Sequence, residues 1–73
     1  MIRPELIKEI EKVERILKSR LPIGSTVSYS QILRELVNIK GFSENAVVRC
    51  IDMLVMQEKL IFRNQRRTLV RQP

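Results

Sequence analysis

The end of the chain, residues 60–71, limits the choice of fold more than any other segment. Two short apolar runs, residues 60–63 and 67–71, flank the polar tripeptide 64–66. Neither run contains proline or glycine, so both can join a β-sheet. Asn64 tolerates the positive φ angle that a tight turn needs. The pattern therefore predicts a β-hairpin with its turn at residues 64–66.

Two helical patterns lie in the first half of the chain. In residues 4–20, apolar side chains recur at steps of three and four between Pro4 and Pro22, which predicts an amphipathic helix. A possible one-bridge strand follows at residues 26–28. A second helix is predicted over residues 29–39, behind a capping box in which Ser28 is the N-cap and the Gln31 side chain reaches back to it.

A third helix is predicted over residues 44–58, with Ser43 as its N-terminal cap. Its apolar positions form one continuous face at helical spacing, and Cys50 lies within that face. A few residues around Gly41 separate it from the second helix, as in a helix-turn-helix. The order of elements predicts one domain over residues 1–73, of the α+β class: a winged helix, in which a three-helix core carries a C-terminal β-hairpin wing.

Several classes of function are excluded by what the sequence lacks. It has no histidine and one cysteine, which removes Ser-His and Cys-His catalysis and makes a zinc site untenable. There is no glycine-rich phosphate loop, no apolar run long enough to span a bilayer and no apolar signal segment at the N-terminus. We therefore expect no enzyme, metal site, cofactor, small-molecule substrate or membrane partner, and a reducing compartment.

The positive charge of the chain is concentrated in the predicted hairpin. Of the net charge of +6, four positive charges lie within residues 60–73, which contain no acid. A cluster of one sign predicts an acidic partner, either nucleic acid or an acidic protein surface. The residues expected to contact that partner are Arg63, Gln65, Arg66, Arg67 and Arg71. Charged residues that only protect a sheet edge are the alternative interpretation.

The third helix is a weaker candidate for reading DNA bases. Asn45 and Arg49 lie on its predicted exposed face and have the chemistry of base contacts. Glu44 and Asp52 share that face, and their carboxylates would be repelled by phosphates. The hairpin, rather than a recognition helix, is thus the expected principal contact surface.

Two stretches of the chain resemble a known family. They are IGSTVS at residues 23–28 and RNQRRTLVR at residues 63–71. Together they resemble the C-terminal winged helix of the minichromosome maintenance replicative helicase, in particular that of its fifth subunit in eukaryotes. The resemblance continues from about residue 23 to residue 71, and the first helix matches only as an amphipathic pattern.

The resemblance implies a nuclear protein of DNA replication. In the family this domain is appended to an ATPase core and contacts loading factors, neighbouring subunits or DNA, so the resemblance implies other helicase subunits or loading factors as partners, with non-specific double-stranded DNA as a further one. No catalytic residue carries over, because the core is not in this segment. Two alternatives stay open: a sequence-specific winged-helix transcription regulator, and a scaffold winged helix that binds only protein.

Overall fold

The computed structural model describes residues 3–73 of the chain, and residues 1 and 2 of the predicted domain lie outside that range. Three helices are followed by a hairpin, which confirms the predicted α+β winged helix. In chain order the elements are α1 (Pro4–Arg20), β1 (Thr26–Ser28), α2 (Tyr29–Arg34) with a π-helical continuation (Glu35–Ile39), α3 (Glu44–Met56), β2 (Leu60–Arg63) and β3 (Thr68–Arg71).

The hairpin belongs to a three-stranded antiparallel sheet. The strand order is β1-β3-β2, so β3 is the central strand and Thr68 pairs with both Ser28 and Arg63. The segment predicted as a one-bridge strand is thus a strand of three paired residues. β3 begins one residue later than predicted because Arg67 belongs to the turn. The pairing of β1 with β3 ties the wing to the start of α2.

One apolar core lies between the helices and the sheet. Leu69 of β3 is completely buried, and this anchors the wing to the helices. Cys50 is also completely buried, as its place on the apolar face of the third helix predicted. The core consists of Val13, Leu17, Leu21, Ile32, Leu36, Val47, Cys50, Ile51, Leu54, Leu60 and Leu69.

The second helix departs from the prediction in its last part. A single helix was expected over residues 29–39, but Glu35–Ile39 is a π-helix. The N–H of Lys40 donates to the carbonyl of Glu35, five residues earlier, at 3.0 Å. Leu36 remains fully buried, whereas Ile39 is 75% exposed. Apolar periodicity alone does not distinguish an α-helical turn from one that holds an extra residue.

The third helix ends at Met56 rather than near Glu58 as predicted. Glu58 has a φ of 61°, which takes the chain out of the helix. The Glu58 N–H donates to the Val55 carbonyl at 3.0 Å, and the Lys59 N–H donates to the Leu54 carbonyl at 2.9 Å. These two bonds are those of a Schellman motif, which usually has glycine at the left-handed position. A glutamate there concealed the helix end from sequence analysis.

Both predicted serine caps form. The Ser28 hydroxyl accepts from the Gln31 N–H at 3.4 Å, which is the first half of the predicted capping box, and the Ser43 hydroxyl accepts from the Ala46 N–H at 3.2 Å. A contact that the sequence did not suggest joins α1 to α3: the Glu9 carboxylate accepts from the Ser43 N–H at 2.8 Å and from its hydroxyl at 3.2 Å. This contact fixes the start of α3 against α1.

Candidate functional site

The turn of the wing is left-handed over three successive residues. The φ angles are 53° at Asn64, 56° at Gln65 and 67° at Arg66, although the sequence predicted a positive φ only for Asn64. At Gln65 and Arg66, which lack the tolerance of asparagine, this conformation costs about 1–2 kcal/mol per residue relative to ordinary backbone. The Arg67 N–H closes the turn with bonds of 3.1 Å to the carbonyls of Arg63 and Asn64. The strained backbone directs the side chains of the tip.

Four of the five residues predicted to contact a partner lie together at this tip. Arg63, Gln65, Arg66 and Arg67 are all exposed, and we call them the wing-tip surface. The ion pairs observed within residues 3–73 involve none of these arginines. Their guanidinium groups are therefore available for charge-assisted bonds to phosphate or carboxylate oxygens.

Arg71, the fifth predicted residue, lies at the other end of the wing. Its Nη1 donates to the carbonyl of Leu21 at 2.8 Å and to that of Lys18 at 3.3 Å. Lys18 lies in the last turn of α1 and Leu21 is its C-cap, where free acceptors and the helix dipole favour a cation. The structure thus separates Arg71 from the wing-tip surface and gives it a role in holding the wing to α1.

An aromatic cluster that the sequence analysis missed lies beside the wing tip. The ring centres of Tyr29 and Phe62 are 5.4 Å apart with an interplanar angle of 32°, and the guanidinium carbon of Arg66 is 4.5 Å from the Phe62 ring centre. The Tyr29 N–H donates to the Arg67 carbonyl at 2.8 Å. Residues 26–28 were predicted only as a possible one-bridge strand. Their full pairing with β3 places the next residue, Tyr29, beside the wing.

The exposed face of α3 has little positive charge to offer. Arg49 Nε donates to Asn45 Oδ1 at 3.0 Å, so the two candidate base-reading residues bind each other. Burial raises the pKa of the Tyr29 hydroxyl, and the nearby carboxylates of Asp52 and Glu44 raise it further, whereas the charge of Arg66 lowers it. Glu44 and Asp52 are both exposed, so a phosphate group brought to α3 would meet their carboxylates.

A second surface feature is an apolar groove between α1 and α3. Ile10 and Met53 line it together with Met56, which is 85% exposed. Its volume is about 620 Å³, and Arg49, Asp52 and Gln57 complete the lining. Exposed apolar side chains bordered by charged ones are typical of protein contact surfaces, and methionine adapts to varied partners.

Cys50 has the properties of a packing residue. Burial is the main reason why the pKa of its thiol is raised to about 12. A thiol in that state is a poor nucleophile. Among the described residues, no helix combines the length and the apolar content that crossing a bilayer requires.

These features define a winged-helix domain whose wing tip is more basic than the exposed face of its third helix. The sequence of this domain matches a model of one protein family, described as MCM5, C-terminal domain, over residues 12–71. The chain therefore belongs to the family of MCM5 C-terminal domains. The match includes the second half of α1, the two later helices and the wing, and it confirms the resemblance found in the sequence.

Two curated proteins illustrate the relationship. A protein of Dictyostelium discoideum named DNA replication licensing factor mcm5 is 34% identical over 70 residues, which are 96% of this chain and 9% of that protein. The DNA replication licensing factor MCM5 of Oryza sativa subsp. indica is 29% identical over 70 residues, again 96% of this chain and 10% of that protein. The chain thus spans about a tenth of the length of these relatives.

Proposed function

We propose that this chain is a non-catalytic regulatory module of a nuclear DNA replication licensing factor, which acts through contacts with other helicase subunits or loading factors. The observation that carries the proposal is the family match over residues 12–71, together with relatives whose names place them in replication licensing. The burial of Cys50 and its raised pKa support a non-catalytic role, because they leave the chain's one thiol unreactive.

The wing-tip surface supports a second contact, to the phosphates of DNA. Three exposed arginines lie in or next to a turn that two backbone hydrogen bonds close, so binding must order their side chains but not the backbone. Contacts to phosphates hold a protein on DNA without reading its sequence. The wing is thus proposed to add non-specific affinity for nucleic acid to a domain that is positioned mainly by protein contacts.

The groove between α1 and α3 is the surface proposed for the protein contact. Met56, exposed to 85%, would bury apolar area against a subunit or loading factor. In the full-length protein that carries this domain, we expect Met56→Asp to reduce co-purification with the other subunits or with loading factors. Ile39→Asp introduces the same charge at another exposed apolar residue, outside the groove, and serves as the matched control.

Electrophoretic or anisotropy titration of duplex DNA at several salt concentrations tests the wing contact. The variant in which Arg63, Arg66 and Arg67 are all replaced by alanine should bind more weakly. It should also lower the salt slope of log affinity by roughly 3, since each phosphate contact contributes about 0.9. Equal affinity and slope in the variant and the parent would refute the wing contact.

The same titration tests the alternative functions. A sequence-specific regulator predicts preference for one duplex, lost in Asn45→Ala and Arg49→Ala. The bond between these two side chains and the acidic neighbours of α3 argue against that outcome. A scaffold that binds only protein predicts no DNA binding even at low salt, with the Met56→Asp effect unchanged.

A further inference from the structure

Tyr29, Phe62 and Arg66 form a partly exposed cluster at the edge of the core, against which the two rings pack. Tyr29 and Phe62 are two of the chain's three aromatic residues, and both are half-buried. The Arg66 guanidinium lies over the Phe62 ring. The ring pair is tilted with centres 5.4 Å apart, which is a favourable aromatic arrangement. An arginine plane above an aromatic ring is also a surface on which another flat π-system can stack.

The left-handed turn keeps this cluster in place. Arg66 is the last of the three residues with positive φ, and its side chain returns over Phe62, which lies one residue before the end of β2. Strained backbone that is maintained by surrounding contacts is often found at functional sites. Here the contacts are the turn bonds of Arg67 and the bond from Asn64 Nδ2 to Thr68 Oγ1 at 3.2 Å.

An open groove of about 520 Å³ adjoins the cluster, which is large enough to hold a flat ring system. It has an apolar floor, hydroxyl groups and two cationic side chains. The lining residues are Ser28, Tyr29, Ser30, Leu33, Arg66 and Arg67. This combination suits a ligand with a flat aromatic part and an anionic part.

The acidic residues of α3 favour a single strand over a duplex as the ligand of the groove. Glu44 and Asp52 are exposed on α3, the helix that a duplex would contact in the usual winged-helix mode. A duplex docked on α3 and the wing together would bring phosphates close to these acids and would keep its base faces stacked inside. A single strand can bind to the arginines of the wing-tip surface without contacting α3, and its unpaired bases are free to stack.

We propose that this groove binds single-stranded nucleic acid, with one base stacked against Tyr29 and the Arg66 guanidinium, which Phe62 supports from below, and with the adjoining phosphates held by Arg66 and Arg67. The proposal rests on the proposed function, because it specifies which form of nucleic acid the wing receives. Base stacking gives the contact a component that does not depend on charge.

Fluorescence anisotropy with the 73-residue chain and four ligands tests the proposal. The ligands are an oligothymidylate of about 12 nucleotides, within the roughly 4–16 nucleotides that such sites accept, an abasic strand with equal charge, a duplex of the same length and a phosphoserine peptide. We expect the oligothymidylate to bind about tenfold more tightly than the abasic strand, as expected for one stacked base. The duplex and the peptide should bind more weakly than the oligothymidylate.

Two variants with the same change of charge separate stacking from simple attraction. Arg66→Gln should reduce the affinity for oligothymidylate about tenfold or more and abolish its advantage over the abasic strand. Arg63→Gln lies outside the groove and should weaken both strands equally. Tyr29→Leu, with folding verified by circular dichroism, should remove the advantage without changing the salt slope.

The other outcomes overturn the proposal in distinguishable ways. Equal affinity for the oligothymidylate and the abasic strand, or tighter binding of the duplex, refutes stacking but leaves the phosphate contact of the wing intact. Preference for the phosphoserine peptide assigns the groove to a phosphorylated protein instead. No binding of any nucleic acid at low salt rejects both the stacking site and the wing contact.

Discussion

The two ends of the wing have similar arginines but opposite surroundings. At the base, Leu60 is buried, and Arg71, its partner across the two strands, donates to the carbonyls of Lys18 and Leu21 at the end of α1. At the tip, Arg63 and Arg66 are exposed, and the backbone between them is left-handed. The comparison shows that charge clustering in sequence does not define a binding surface. The positions of the arginines relative to the sheet decide whether they bind the protein itself or a partner.

The largest effect is expected from removing the apolar side chain that anchors the wing to the helices. Leu69→Ala should lower the free energy of unfolding by about 2–5 kcal/mol, because it deletes a fully buried side chain in a small core. Urea unfolding followed by circular dichroism measures the change. Ile61→Ala, at an exposed apolar position of the neighbouring strand, is the control and should change stability far less.

Arg71→Ala should have the next largest effect, a loss of about 1–3 kcal/mol, since it leaves the carbonyls of Leu21 and Lys18 without this donor. Arg63→Ala removes the same kind of side chain from the tip and should change stability by less than about 0.5 kcal/mol. Urea unfolding of both variants provides the measurement. If Arg71→Ala left stability unchanged but weakened DNA binding as much as the tip variants, the division between base and tip would be wrong.

Much of the base was predictable from sequence, because it follows from periodicity and chain order. The apolar spacing within each helix, as at Val13 and Leu17 in α1, and the proline-free apolar runs of the wing predict the three helices and the hairpin. The role of Arg71 was not predictable. Its partners are main-chain carbonyls about 50 residues earlier, and a carbonyl has no sequence signature.

The tip and the helix ends were harder to predict for a related reason. Glycine signals left-handed backbone at Gly41, but Glu58, Gln65 and Arg66 adopt it without that signal. The π-helical segment Glu35–Ile39 keeps the apolar pattern of an α-helix and is likewise concealed. The aromatic cluster depends on strand pairing between distant parts of the chain, which local patterns do not specify.

Glu58→Gly should increase stability by about 0.5–1 kcal/mol. Replacing glutamate at this left-handed position removes about 1–2 kcal/mol of backbone strain. The greater freedom of glycine in the unfolded chain offsets about 0.5–1 kcal/mol of that gain in stability. Thermal and urea unfolding both report it. The matched control is Gly41→Ala at the other left-handed helix end, where φ is 82° and no atom lies within 4 Å of the added Cβ. Gly41→Ala should destabilise the protein by about 1 kcal/mol, because alanine is strained at this φ angle.

Gln65→Gly should have the smallest effect on stability, and it tests the tip most sharply. Releasing strain at the centre of the turn should raise stability by about 0.5 kcal/mol, for the reasons given for Glu58. The same release allows the turn to move, so Arg66 must be ordered again over Phe62 when a ligand binds. That ordering should weaken the affinity for oligothymidylate by about 2- to 10-fold.

Gln65→Ala keeps the left-handed backbone and removes only the side chain, so it should retain the parent's affinity if the Gln65 amide makes no contact of its own. Opposite signs for stability and affinity in Gln65→Gly would show that the strain serves binding, whereas equal affinity in the two variants would show that the turn is strained without consequence for the ligand.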